Sequence, residues 1–106
     1  MIRVVYHRDY HRVSVTGHAG SDEKGKDLIC ASASILAYTL ADYVKKLKDE
    51  DRVKFDLIAI EEGDTNISCS PYYDDIDEVT AVFDVICRGF ELLARDYPDN
   101  ISYEVK

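Results

Sequence analysis

The sequence predicts an α+β fold in which a mainly antiparallel sheet carries two helices packed on one face, in the order ββαββαβ. Three observations give that class. Short period-two stretches come in two adjacent pairs, each split by a polar turn. Two longer stretches repeat apolar residues at spacings of three and four. Strand pairs joined by tight turns cannot make an all-parallel sheet, and two one-sided helices need a common surface to cover.

The elements follow in order. Ile2, Val4 and Tyr6 alternate with their neighbours, Arg8-Asp9-Tyr10-His11 makes a turn, and Val13 and Val15 alternate again, a first hairpin. A loop with Gly17, Gly20 and Gly25 follows. Ile29, Ala33, Leu36, Leu40, Tyr43 or Val44, and Leu47 then mark a helix over 28–48, about 30 Å long, with Asp27 as its natural N-cap. Residues 53–60 are β-type, Glu61-Glu62-Gly63-Asp64 is a turn, and 65–70 alternate around Ile67 and Cys69, a second hairpin. Asp75, with Glu78 three residues on, opens a second helix striped by Ile76, Val79, Phe83, Ile86, Phe90 and Leu93, which ends by Pro98. Ile101, Tyr103 and Val105 form a last strand.

Residues 1–106 fit one domain, without linker, repeat or low-complexity segment, large enough to bury about 65% of its unfolded surface. Lys and Arg number 13 against 21 Asp and Glu, a net charge of −8. Such a surface repels phosphate and argues against a general nucleic-acid binder, while it suits a basic peptide or protein. Three cysteines with no CxxC pair do not build a disulfide framework. The N-terminus is a strand pattern rather than a signal peptide, and no apolar run approaches transmembrane length. The expectation is a soluble, cytoplasmic protein without membrane contact.

Cys30 falls in the first turn of the first helix, where free amides and the helix dipole favour a thiolate over a thiol of pKa about 8.5. His18 lies twelve positions earlier, at the end of a strand, and a loop of that length can fold back to the helix start. An activated thiolate with an acid for the leaving amine is what nucleophilic catalysis requires. The small residues Ala31, Ser32, Ala33 and Ser34 let a substrate backbone approach, and amides of that turn could bind an oxyanion. On spacing alone, an inert core cysteine and a turn histidine explain the same residues.

Val15-Thr16-Gly17-His18-Ala19, then Gly25-Lys26-Asp27-Leu28-Ile29-Cys30-Ala31 and Ser34, resemble the signature of the ribosomal-processing cysteine protease (Prp) family. The likeness extends over nearly the whole chain, through the element order and the Arg-Asp-Tyr-Pro helix end, with its specificity in residues 17–34. The resemblance implies a cysteine endopeptidase that removes a short N-terminal extension from a large-subunit ribosomal protein. Cys30 would be the nucleophile and His18 the general base and acid. Asp27 and Ser34 would support them, and Gly17, Gly20 and Gly25 would belong to a substrate loop. Whether Asp27 caps the helix or orients His18 stays open. The resemblance also implies a homodimer, and no cofactor. Ser32 departs from the family's more usual alanine. Residues 19–26 are expected to form a mobile lid hinged at Gly20 and Gly25.

Other features fit less chemistry. The segment from Gly20 to Asp27 nearly matches a phosphate-binding loop, but Asp27 replaces the Ser or Thr that holds magnesium, and Asp22 and Glu23 would repel phosphate. Asp74, Asp75, Asp77 and Glu78 suit a helix N-terminus better than a cation. Cys69 and Cys87 read as packing residues. His7 and His11 read as solvated turn residues, so no metal site is expected. Tyr72 and Tyr73 could line a groove or staple the second helix. Two other function classes remain: a non-catalytic acidic module that binds a basic ribosomal protein or ribosome-assembly partner, and a thiol redox sensor using Cys30 alone.

Overall fold

The computed structural model describes residues 1–18 and 26–106, with Lys26 and Asp27 as backbone only. Its described elements are β1 (Ile2–His7), a 3₁₀ turn at Arg8–Tyr10, β2 (Arg12–Thr16), α1 (Lys26–Asp49), β3 (Val53–Glu61), β4 (Asp64–Pro71), a 3₁₀ turn at Tyr73–Asp75, α2 (Ile76–Asp96) and β5 (Ile101–Val105). The predicted order ββαββαβ is the observed one. The sheet runs β3-β4-β2-β1-β5, antiparallel throughout except where β5 lies parallel to β1.

Alternation puts Ile2, Val4 and Tyr6 of β1, Val13 of β2, Ile67 and Cys69 of β4 and Ile101 of β5 in the core. From α1 the buried stripe is Ile29, Ala33, Ala37, Leu40, Ala41, Val44 and Leu47, and from α2 it is Val79, Phe83, Cys87 and Phe90. The α2 stripe is thus centred on Cys87, with Ile86 at its margin and Ile76 37% exposed. The helices touch where a Cβ on Gly89 would fall 2.7 Å from a Leu36 methyl. Contrary to the expectation of no such run, Leu28–Asp49 is long and apolar enough to cross a membrane, with a hydropathy of 1.2. Its buried stripe packs into this core.

Two helix starts differ from their predicted caps. α1 begins at Lys26, so Asp27 is its second residue rather than the N-cap. Asp75 precedes α2 but makes no capping hydrogen bond. Its carboxylate accepts from Arg52 Nε at 2.8 Å, and the same guanidinium binds Glu78, which also accepts from the Tyr43 hydroxyl at 2.8 Å. The acidic helix start therefore holds the arginine that follows α1.

His11 is not solvated. It is 9% exposed, sits edge-on to Phe83 with ring centroids 5.7 Å apart, and places Nε2 2.7 Å from the Thr80 hydroxyl. Its φ of 47° belongs to the left-handed region, and its carbonyl accepts from the Cys69 amide at 3.1 Å. Burial lowers its pKa below the usual 6.5, the nearby Arg8 adding to the effect against Asp84 and Asp9. The unfolded chain then binds more protons than the folded one, so His11's contribution is full above about pH 6.5 and is lost as pH falls through the folded-state value. Urea unfolding from pH 7.5 to 5 should show that loss. It should shrink in His11→Asn, whose side chain tolerates the same φ.

Candidate functional site

The end of β2, the turn between β3 and β4, and the first half of α1 enclose an open cleft of about 460 Å³. Gly17, His18, Cys30 and Ser34, four residues of the sequence motif, all line it. The rest of the wall is Ile2, Val15, Ala33, Ala37, Tyr38, Ile60 and Thr65, with Glu61, Glu62, Gly63 and Asp64 on the turn.

Local geometry explains how they meet. β2 pairs with β4 through Thr16 opposite Asp64, the last rung before the cleft. Gly17 then takes φ +89° and donates its N–H to the Gly63 carbonyl at 2.9 Å. A Cβ on Gly17 would lie 2.2 Å from the Met1 carbonyl oxygen, so only glycine fits. It is a fixed junction on the wall of the cleft. His18 follows, exposed at the rim, its ring against Gly63.

Cys30 is half-buried, with one side packed on the core and the other facing the cleft. Because α1 starts at Lys26, Cys30 is its fifth residue, one turn in rather than in the first turn. The amides that a helix leaves free therefore precede Cys30. Those from Ala31 to Ser34 belong to the helix ladder and are not available to an oxyanion, contrary to expectation. The Ser32 hydroxyl bonds back to the Leu28 carbonyl at 2.8 Å, and Ser32 is not among the residues lining the cleft. Ser34, one turn beyond Cys30, is exposed to the cleft.

Among the described residues His18 and Cys30 make no hydrogen bond to each other. Acid–base pairs of enzymes commonly tighten only when substrate is bound. Gly20 and Gly25 lie outside the described residues, as do the side chain of Asp27 and the predicted lid over 19–26 apart from Lys26, whose backbone opens α1. Tyr72 and Tyr73 do not line the cleft. No group of three or more His, Cys, Asp or Glu arranged for a metal occurs among the described residues.

The charge on the wall is one-sided. Glu61, Glu62 and Asp64 bring three carboxylates, and no Lys or Arg is among the described lining residues. Cys69 and Cys87 are nearly sealed, and burial pushes both thiols up to about 12.

An accessible thiol and an imidazole on one open cleft are the equipment of the thiol-dependent hydrolases. Residues 1–102 match the model of the family described as cysteine protease Prp. The chain belongs to that family and is a cysteine protease, which displaces the binding-module and redox-sensor readings.

Solved structures agree in fold. The ribosomal processing protease Prp of S. aureus, in complex with a substrate peptide, superposes with a TM-score of 0.72 at 18% identity, over 99% of this chain and 97% of that one. The same protease with a covalently linked product peptide gives 0.71 at 19% identity, again over 99% and 97%. SMU.848 from Streptococcus mutans gives 0.68 at 23% identity, over 98% of this chain and 90% of that one. Comparison with curated proteins gives no significant match.

Gly63, which looks in the sequence like an ordinary turn glycine, is in contact with His18.

The thiols should separate by reactivity. Brief iodoacetamide treatment at neutral pH, followed by peptide mass spectrometry, should label Cys30 first. Cys69 and Cys87 should stay unlabelled until the protein unfolds, because each is buried and holds its proton.

Proposed function

We propose that the protein is a processing endopeptidase that removes a short N-terminal extension from a large-subunit ribosomal protein, acting in the cytoplasm as a homodimer of single-domain subunits. The observation that carries this is the shared cleft: residues 17, 18, 30 and 34 of the family motif come from two separate elements and line one groove. The S. aureus protease described above, solved with substrate and product peptides, supports a peptide as the occupant.

In this reading the Cys30 thiolate attacks the scissile carbonyl, forming a carbon–sulfur bond and an oxyanion. His18, holding the thiol's proton, delivers it to the leaving amine as the carbon–nitrogen bond breaks. The extension remains as a thioester on Cys30. Water then attacks, His18 takes one of its protons, and the carbon–sulfur bond breaks to return the thiolate and release the extension as a carboxylic acid, which ionises in solvent. No cofactor enters the scheme.

The cleft wall supports the substrate class. Ile2, Val15, Ile60, Ala33 and Ala37 offer an apolar lining, and Glu61, Glu62 and Asp64 offer negative charge to a basic chain. A ribosomal protein's cationic N-terminal region answers the second of these features.

Intact-mass analysis after incubation with the extended precursor of the ribosomal protein tests the reading. A single cut near the precursor's N-terminus supports it, and an unchanged precursor overturns it. Cys30→Ala should abolish the cut. His18→Ala should lower kcat by about 10²–10⁴-fold, the usual worth of a positioned acid–base group.

Steering has its own signature. kcat/KM should fall as salt rises past 0.1 M, where the Debye length is about 10 Å. The double change Glu61→Gln with Glu62→Gln should raise KM and flatten that salt dependence. An unaltered salt profile in the double variant would remove these two carboxylates from substrate recognition.

A further inference from the structure

We infer that Gly63 is a positioning residue for His18, holding open, by having no side chain, the space that the imidazole ring occupies. The inference rests on the reading of His18 as the general base.

Gly63 bears on His18 in two ways. Its carbonyl accepts the Gly17 amide at 2.9 Å, which fixes the backbone one residue before His18. Its bare Cα then faces the ring: a Cβ there would lie 2.8 Å from Nε2, 3.1 Å from Cε1 and 3.7 Å from Cδ2. The close approach is to the far edge of the ring, which carries Nε2, one of the two ring nitrogens able to carry a proton. His18 is exposed and its ring has no hydrogen-bond partner among the described residues. A side chain at 63 would therefore turn the ring aside rather than dismantle the turn.

Conformation alone does not demand glycine here. Gly63 has φ +73° as the second residue of a two-residue turn, a place that asparagine also occupies in such turns. The ring is the stricter condition, because asparagine carries a Cβ too. The backbone and the ring thus set separable requirements at one position, and that separation makes the inference testable.

Three replacements divide the two requirements. Gly63→Ala adds a Cβ and strains the backbone. Gly63→Asn adds a Cβ at less backbone strain. D-alanine at position 63, introduced by chemical ligation, suits the positive φ and points its methyl away from where an L side chain would meet the ring. With the ribosomal-protein precursor as substrate, Gly63→Ala and Gly63→Asn should lose kcat by about 10²-fold, the scale of a misplaced reacting group. Their KM should stay within about twofold of wild type, and D-alanine should recover kcat to within roughly threefold.

The second readout is independent of turnover. NMR of the three histidine rings should show a nuclear Overhauser contact between His18 and Gly63 in the wild type. The contact should be lost in the Asn variant and kept with D-alanine. Equal losses of kcat in the Asn and D-alanine proteins would mean that the turn itself matters, and would overturn the inference. So would wild-type kcat in Gly63→Asn while His18→Ala is inactive. Full activity in His18→Ala would instead overturn the reading of His18, whatever Gly63 does.

Discussion

Thr16 faces Asp64 on the last rung of the β2–β4 ladder, and the arrangement of the cleft hangs on that register. β2 and β4 are separated in sequence by α1 and β3, so nothing local forces them to meet at this rung. A slip of one residue would turn Val13 and Ile67 out of the core, which is why the register is tightly specified. Once it is set, Gly17 lies opposite the Gly63 carbonyl and His18 emerges at the mouth of the groove. The position of one imidazole is thus a consequence of burying apolar side chains some rungs away.

The helices supply the other half. α1 offers its buried stripe to the sheet and, near its start, turns Cys30, Ala33, Ser34 and Ala37 along one line towards the cleft. Small residues serve both ends: they let the helix lie close to the sheet and leave the groove open. α2 takes no part in the cleft. It seals the far half of the sheet, where Phe83 stacks on Tyr6 at 6.3 Å and closes over His11. The Tyr6 hydroxyl and Arg8 both reach Asp84, whose carboxyl is held below its usual range first by Arg8. That pair is about half exposed and contributes little on its own.

Much of this is legible in the sequence, for identifiable reasons. Helix periodicity and strand alternation report burial directly, so both helices, both hairpins and the last strand are found where the patterns put them. The approach of residues 17, 18, 30 and 34 is legible because a compact motif spans a single loop. What escapes is set by contacts distant in sequence. His11 looks like a turn residue because its turn is polar, yet α2 covers it. Asp75 looks like a cap because nothing near it announces Arg52. Cys87 lies beside the stripe that larger apolar residues suggest, and packing against the sheet moves the centre onto it. Gly63 has a sufficient local explanation in its turn, which hides its contact with His18.

The pairing of the first strand with the last has a consequence for how the chain folds. Ile2 lies against Ile101, so β1 acquires its second partner only after about 100 residues of chain have looped back. Relative to closing the β1–β2 hairpin, that search costs roughly 2–3 kcal/mol more in loop entropy. The two hairpins can form within microseconds, whereas the β2–β4 and β1–β5 ladders must wait for distant segments. The groove straddles one of those late ladders. Assembly of the whole sheet, and with it the groove, therefore lags behind the formation of its hairpins.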